Sequence, residues 1–159
     1  MSLESYNIKK FQMDDELLKV TKDCDQKTLA IWAADVAQRI LPIFEKQFPG
    51  EDGPRKALEY LREWVKTGVT KMKEVRSASL NAHAAARMAP DKSAARFAAR
   101  ACGQAAATAH VKTHAMGASW YAIKSIRAAT ESEEEVAKEL KWEKTHLLKL
   151  IKSKDLQNF

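Results

Sequence analysis

Residues 94–110 read AARFAARACGQAAATAH, and this run decides the fold class. Alanine is the best helix former and the smallest apolar residue with a Cβ. A proline-free stretch this rich in it reads as a helix that neighbouring helices can approach closely. The run sits inside a longer anomaly: twenty of the 52 residues from Ala78 to Ala129 are alanine. Alanine faces bury little apolar area per residue. The large groups that close the core must therefore come from elsewhere, and Trp32, Phe44, Leu58, Leu61, Trp64 and Trp142 are the candidates.

Outward from this run, the pattern stays helical in both directions. The central helix is predicted from about residue 92 to 110 or beyond, with Asp91 or Ser93 as its cap. Phe97, Ala98, Ala101, Ala105 and Thr108 form its packing side. The pattern fits both a continuation through Thr113-His114 into residues 115–129 and a break there. Met116-Gly117 is the weakest point, since glycine costs about 1 kcal/mol inside a helix. A last helix starts near Ser132, with Glu133, Glu134 and Glu135 complementing its dipole, and runs to about residue 153. On the other side, Pro90 stops a helix over 70–89 that buries Met72, Val75, Ser79, Ala82 and Ala86. Pro54 suits the first turn of a helix over 54–67, and Gly68 suits its left-handed end. Residues 49–54 are a loop. Leu29, Trp32, Val36, Ala37, Ile40, Leu41 and Phe44 mark a helix over 25–48, with a kink or break expected at Pro42. Asp14-Asp15-Glu16 opens one more short helix. Six or seven helices with short loops predict an all-α bundle or compact array. We read residues 1–159 as a single domain, with a helical core over 25–153 and an arm or short helix over 1–24.

Composition excludes several classes. Cys24 and Cys102 lack CxxC spacing, which removes disulfide scaffolds and cysteine-based zinc folds. Five glycines and four prolines are too few for a many-turned β-sandwich. No run of 18 apolar residues spans a membrane, and charge appears too early for a signal peptide. A cytoplasmic protein is the expectation. The net charge of +6 is concentrated in the middle of the chain, with net +7 over residues 54–100 and net +3 over 101–130. The flanks are acidic, net −3 over 1–53 and net −1 over 131–159. A basic middle suits an acidic protein surface, an anionic ligand or nucleic acid, or is simply a solvated face.

His110 and His114 stand four residues apart, a spacing that can hold a metal. No HExxH glutamate accompanies them, and His83 is the one credible third ligand. We therefore assign no metal and no cofactor, and read the histidines as lining a polar groove. In one unbroken helix, Arg96, Arg100, Gly103, Ala107, His110 and His114 trace a stripe that is cationic or titratable at both ends and nearly bare in the middle. Met72, Arg76, Leu80, His83 and Arg87 form a comparable stripe on the preceding helix. Joined at Pro90-Asp91, the two could bring His83, Arg87, Arg96 and Arg100 together on a surface suited to acidic groups. No nucleophile with a base, no phosphate loop and no helix-turn-helix signature is present.

Several strings occur together in order: Trp32-Ala33-Ala34-Asp35, Leu41-Pro42-Ile43-Phe44-Glu45, Gly53-Pro54-Arg55, Ala82-His83-Ala84-Ala85-Ala86-Arg87, Gly103-Gln104-Ala105-Ala106-Ala107-Thr108-Ala109-His110, His114-Ala115-Met116-Gly117 and Tyr121-Ala122-Ile123-Lys124. In this order they resemble the small Ala/His-rich, all-helical immunity-like proteins of bacterial polymorphic-toxin systems, over about residues 29–150. The resemblance implies a non-catalytic protein that binds and neutralises a cognate toxin. It also implies a binding surface on Arg55, Arg76, His83, Arg87, Gln104, His110, His114 and Lys124, to which the stripe adds Arg100. The alternatives are a metal-dependent hydrolase or other enzyme using His83, His110 and His114, and a helical protein that associates non-specifically with nucleic acid. No carboxylate lies in residues 92–130 to serve the enzyme, so a toxin partner is favoured over nucleic acid or chemistry. Homodimerisation through the alanine face is a further expectation.

Overall fold

The computed structural model describes residues 15–157. It contains seven helices: α1 (Asp15–Asp23), α2 (Gln26–Gln47), α3 (Gly53–Thr67), α4 (Met72–Ala86), α5 (Ala94–Ala107), α6 (His114–Thr130) and α7 (Glu133–Gln157). Among the described residues there is no strand, and no helix is long and apolar enough to cross a membrane. Asp14 and the rest of the expected arm before it lie outside the described residues.

The helix ends follow from local chemistry. The Asp25 carboxylate accepts from the Thr28 amide at 2.7 Å and starts α2. Pro54 sits in the first turn of α3, and Gly68, at φ 67°, ends it. Ser93, not Asp91, caps α5 by accepting from the Arg96 amide at 3.2 Å. Ser132 accepts from the Glu135 amide at 3.2 Å at the head of α7. Asp25, Ser93 and Ser132 each satisfy an amide that has no partner inside its helix.

Two sequence expectations change. First, α2 runs through Pro42 without a break. Pro42 and Gln38, whose carbonyl loses its donor, both lie on the exposed side, while Ile40, Leu41 and Phe44 are fully buried. Packing of the inner face outweighs one hydrogen bond lost towards solvent. Second, of the two readings open after residue 92 the structure takes the break, at 108–113, while Met116-Gly117, the weakest point of the pattern, lies inside α6. The single long stripe from Arg96 to His114 is therefore divided between α5, a turn and the start of α6. Gly117 lies within α6 and is needed there for a close contact described below.

One hydrophobic cluster draws on all seven helices. Trp32, Phe44, Leu58 and Leu61 are its large members, joined by Leu17, Leu29, Ile40, Leu41 and Leu147. Trp64 is buried at its edge and Trp142 is half-buried against it. Helix α5 packs against α2, α3, α4 and α6. Its residues Ala95, Ala98, Ala99, Ala101, Cys102, Gly103, Gln104, Ala105 and Ala106 are all buried. A helix that is apolar nearly all round belongs at the centre. The alanines of the quoted run are thus the contact layer for four neighbours and not one face of an amphipathic helix.

Candidate functional site

The close approach of α4, α5 and α6 rests on two glycines. A Cβ on Gly103 of α5 would stand 2.7 Å from His83 Nε2 of α4. A Cβ on Gly117 of α6 would stand 2.7 Å from Gln104 Oε1 of α5. Each glycine therefore makes room for one polar side chain between helices. Ser79 secures the first joint by donating to the Gly103 carbonyl at 3.0 Å.

Both polar side chains are oriented by a further partner. Arg100 Nη1 lies 2.9 Å from His83 Nδ1. A guanidinium only donates, so Nδ1 accepts and the neutral ring carries its proton on Nε2. Burial, followed by the charges of Arg100 and Arg87, pushes the His83 pKa down to about 4. At neutral pH this ring is uncharged by construction. His114 Nδ1 lies 2.8 Å from Gln104 Oε1 and donates to it. Burial lowers the His114 pKa as well.

Beside these joints, a groove of about 250 Å³ opens between α5 and α6. Phe97, Trp120 and Tyr121 form its aromatic wall, and Lys92, Arg100 and Lys124 line it with positive charge. The Phe97 and Tyr121 rings stack with centroids 6.2 Å apart. Lys124 Nζ stands 3.9 Å from the Trp120 ring centroid and 5.2 Å from that of Phe97. Burial, then the charges of Lys92 and Arg127, lower the Lys124 pKa. Asp91 and Arg96 complete the lining and are paired with each other at 3.0 Å. Arg96 Nε also donates to the Ala86 carbonyl at 3.1 Å, which caps α4.

The charge pattern around this groove is one-sided. Between Val75 and Thr130 the sequence has a single carboxylate, Asp91. Among the cations of that span, Arg127 pairs with Glu133, and Lys112 caps the end of α1 through the carbonyls of Lys22 and Cys24. Arg76, Arg87, Lys92, Arg100 and Lys124 form no ion pair with a carboxylate among the described residues.

The sequence-predicted residues divide accordingly. His83, Arg100, Gln104 and His114 meet at the α4–α5–α6 joints, and Lys124 lines the adjoining groove. Arg76 and Arg87 are exposed on α4, next to exposed Leu80 and Met88. His110 is exposed on the turn between α5 and α6. Arg55 stands apart: its guanidinium is held by Glu45 in a two-bonded ion pair, at 2.7 and 2.5 Å, that ties α3 to α2. Among the described residues no group of three histidine, cysteine, aspartate or glutamate side chains could hold a metal. His83, His110 and His114 are not gathered into such a group.

Sequence reasoning missed a second polar constellation, on α7. Glu143 is fully buried and accepts from Ser119 Oγ at 2.6 Å, while its Oε1 has no hydrogen-bond partner. Burial holds its carboxyl well above the usual carboxylate range. Trp32 Nε1 donates to the Glu143 backbone carbonyl at 2.8 Å. Nearby, Arg39 grips Glu139 through Nε and Nη2 and lies 3.9 Å over the Trp142 ring. His146 stacks on that ring at 4.6 Å and bonds Asp35 at 2.7 Å, and Asp35 also holds Arg62 at 3.0 Å. The signal was in the spacing. Val136, Glu139, Glu143 and Leu147 recur at three- and four-residue steps, which sets two glutamates at core positions of the helix.

With this geometry in place, comparison with known families is informative. A family model described as "Imm-5 like putative immunity protein" matches residues 19–150. That is most of the chain, and the chain belongs to this family. Neither the curated proteins nor the solved structures contain a match.

Proposed function

We propose, from membership of that immunity family, that this protein binds one protein toxin stoichiometrically and neutralises it without catalysis. The face formed by α4, the α5–α6 groove and the intervening turn is the contact surface. One observation carries the assignment: five cations crowd a face with a single, already paired carboxylate. Arginine, methionine and aromatic residues are enriched at protein interfaces, and Arg76, Arg87, Met88 and Trp120 supply them on this side. The free thiols of Cys24 and Cys102 fit a reducing compartment, and we place the protein's action in the cytoplasm.

The test uses the tagged full chain in a nuclease-treated lysate of its source organism. The expected result is one stoichiometric protein whose toxicity, on expression in a naive host, is suppressed by co-expression of this chain. Arg87→Ala with His110→Ala should weaken capture while leaving the helical circular dichroism unchanged. Full capture by that variant would refute the surface. Retention of nucleic acid with no protein would refute the reading itself.

A further inference from the structure

The cations of the α5–α6 groove are arranged in a way that a merely solvated face does not require. Lys92 adopts φ 58° in the α4–α5 turn, a left-handed conformation that costs a lysine energy and that glycine or asparagine would take more easily. Its position lines the groove. Arg100 spends one N–H on His83 and is thereby fixed in direction, with further donors remaining on the guanidinium. The ring it rests on is neutral, so nothing there cancels the arginine's charge. Lys124 is partly desolvated over Trp120 and Phe97, which stabilise it by their ring faces and not by a counter-ion. Three cations without a carboxylate of their own, of which Arg100 and Lys124 are held by side-chain contacts, are therefore set against an aromatic wall.

We propose that this groove seats a carboxylate-bearing segment of the protein partner, with an aspartate or glutamate entering between Lys92, Arg100 and Lys124 and its stem lying on Phe97 and Tyr121. The proposal rests on the protein-binding function proposed above and adds the chemistry of the partner: its contact surface is acidic. Charge complementarity selects that occupant, because an anion here relieves the mutual repulsion of the three cations. Size selects a side chain over a nucleic-acid strand. A strand needs a basic groove that continues over several nucleotides, whereas about 250 Å³ accommodates a side chain or two. Asp91 lies on the same groove, but its charge is taken up by Arg96.

The decisive experiment titrates the ¹⁵N-labelled full chain with a capped oligoglutamate peptide, a thymidine decamer and inorganic phosphate in separate arms. Oligoglutamate should shift the Trp120 indole and the Lys92 and Lys124 amides saturably. That binding should weaken several-fold between about 50 and about 200 mM salt, as exposed charges are screened. Lys92→Glu with Lys124→Gln should remove the shifts while the rest of the spectrum stays dispersed. Arg100 is left intact, so the His83 joint is undisturbed. Absence of saturable shifts, or equal shifts in the variant, would overturn the proposal. So would tighter binding of the decamer, or phosphate alone reproducing the whole effect. Once a toxin is in hand, the same variant should bind it at least about tenfold more weakly, the scale of a lost contact to a charged group. Equal binding would sink the groove and spare the immunity function. A wild-type chain that neutralises no toxin would sink that function, and the peptide titration would still judge the groove.

Discussion

Gly103 lies under the ring of His83, with no space for even a methyl group between α5 and α4. Elsewhere in the same core, Trp32 of α2 is fully buried and reaches the Glu143 carbonyl of α7 with its indole N–H. The α4–α5–α6 joints are held by helices that nearly touch, the α2–α7 contact by a large buried side chain. The difference teaches where each side is vulnerable. The α4–α5–α6 side tolerates no added atoms, and the α2–α7 side tolerates no removed ones.

Truncation should give the largest effect. Trp32 is fully buried, so Trp32→Ala leaves a cavity and removes the indole bond to the Glu143 carbonyl, which keeps only its helical partner. We expect a loss of about 3–5 kcal/mol by chemical denaturation. A loss below 1 kcal/mol would mean that the large side chains do not carry this side. Enlargement comes next. Despite the better helix propensity of alanine, Gly103→Ala should cost about 1–3 kcal/mol because the His83 ring must move. His83→Ala in the same chain should recover most of that cost. A double-mutant cycle with no coupling would disprove the contact as the cause.

Each side also holds a titratable group that burial shifts, His83 on one and Glu143 on the other, with opposite consequences. His83 has a folded pKa near 4 against an ordinary 6.5, so the unfolded chain binds the extra proton. Its contribution is present above pH 6.5 and is lost as pH falls towards 4. Glu143 has a folded pKa above the ordinary 4.5, so the folded chain keeps the proton. Its contribution is present below pH 4.5 and is lost as pH rises through the raised value. His83→Asn should flatten the acid limb of a stability-against-pH curve. Glu143→Gln should flatten the other limb and raise stability at pH 7 by roughly 1 kcal/mol, since a neutral amide replaces a carboxyl kept from ionising. If each variant left its own limb unchanged, neither group would be the source of the slope. A last, small effect is expected at Arg55→Ala. Its pair with Glu45 is solvent-exposed, so the denaturation midpoint should move only slightly, and unchanged toxin capture beside that small shift would place Arg55 outside the contact surface.

Much of the helical layout was legible because its signals are local. Proline at the start of α3, glycine at its end and serine before α5 and α7 act within one turn of where they stand. Whether the run breaks before His114 stayed open in the sequence, because the carbonyls of Thr108 and Ala109 are taken up by Gln26, which lies 82 and 83 residues away. The candidate surface was partly legible. Arg100 and His114 were named from one stripe, which a turn splits, His83 from the stripe on the preceding helix, and Gln104 from the family resemblance alone. Lys92 and the aromatic wall were missed, because nothing in the spacing of Phe97, Trp120 and Tyr121 says that the three share a groove. Arg55, which the resemblance named with the surface, pairs across α2 and α3 with a glutamate ten residues earlier, a contact that no local pattern announces.

The sequence alone determined that this chain is helical, where its caps lie, that its charge is asymmetric and that alanine dominates the middle. Those are properties of composition and of contacts within a few residues. Which histidine is neutral, which glutamate is buried and which cations lack a counter-ion were decided only by the tertiary structure. Each depends on desolvation and on charges brought close by helix packing, and neither quantity exists until α4, α5, α6 and α7 have come together.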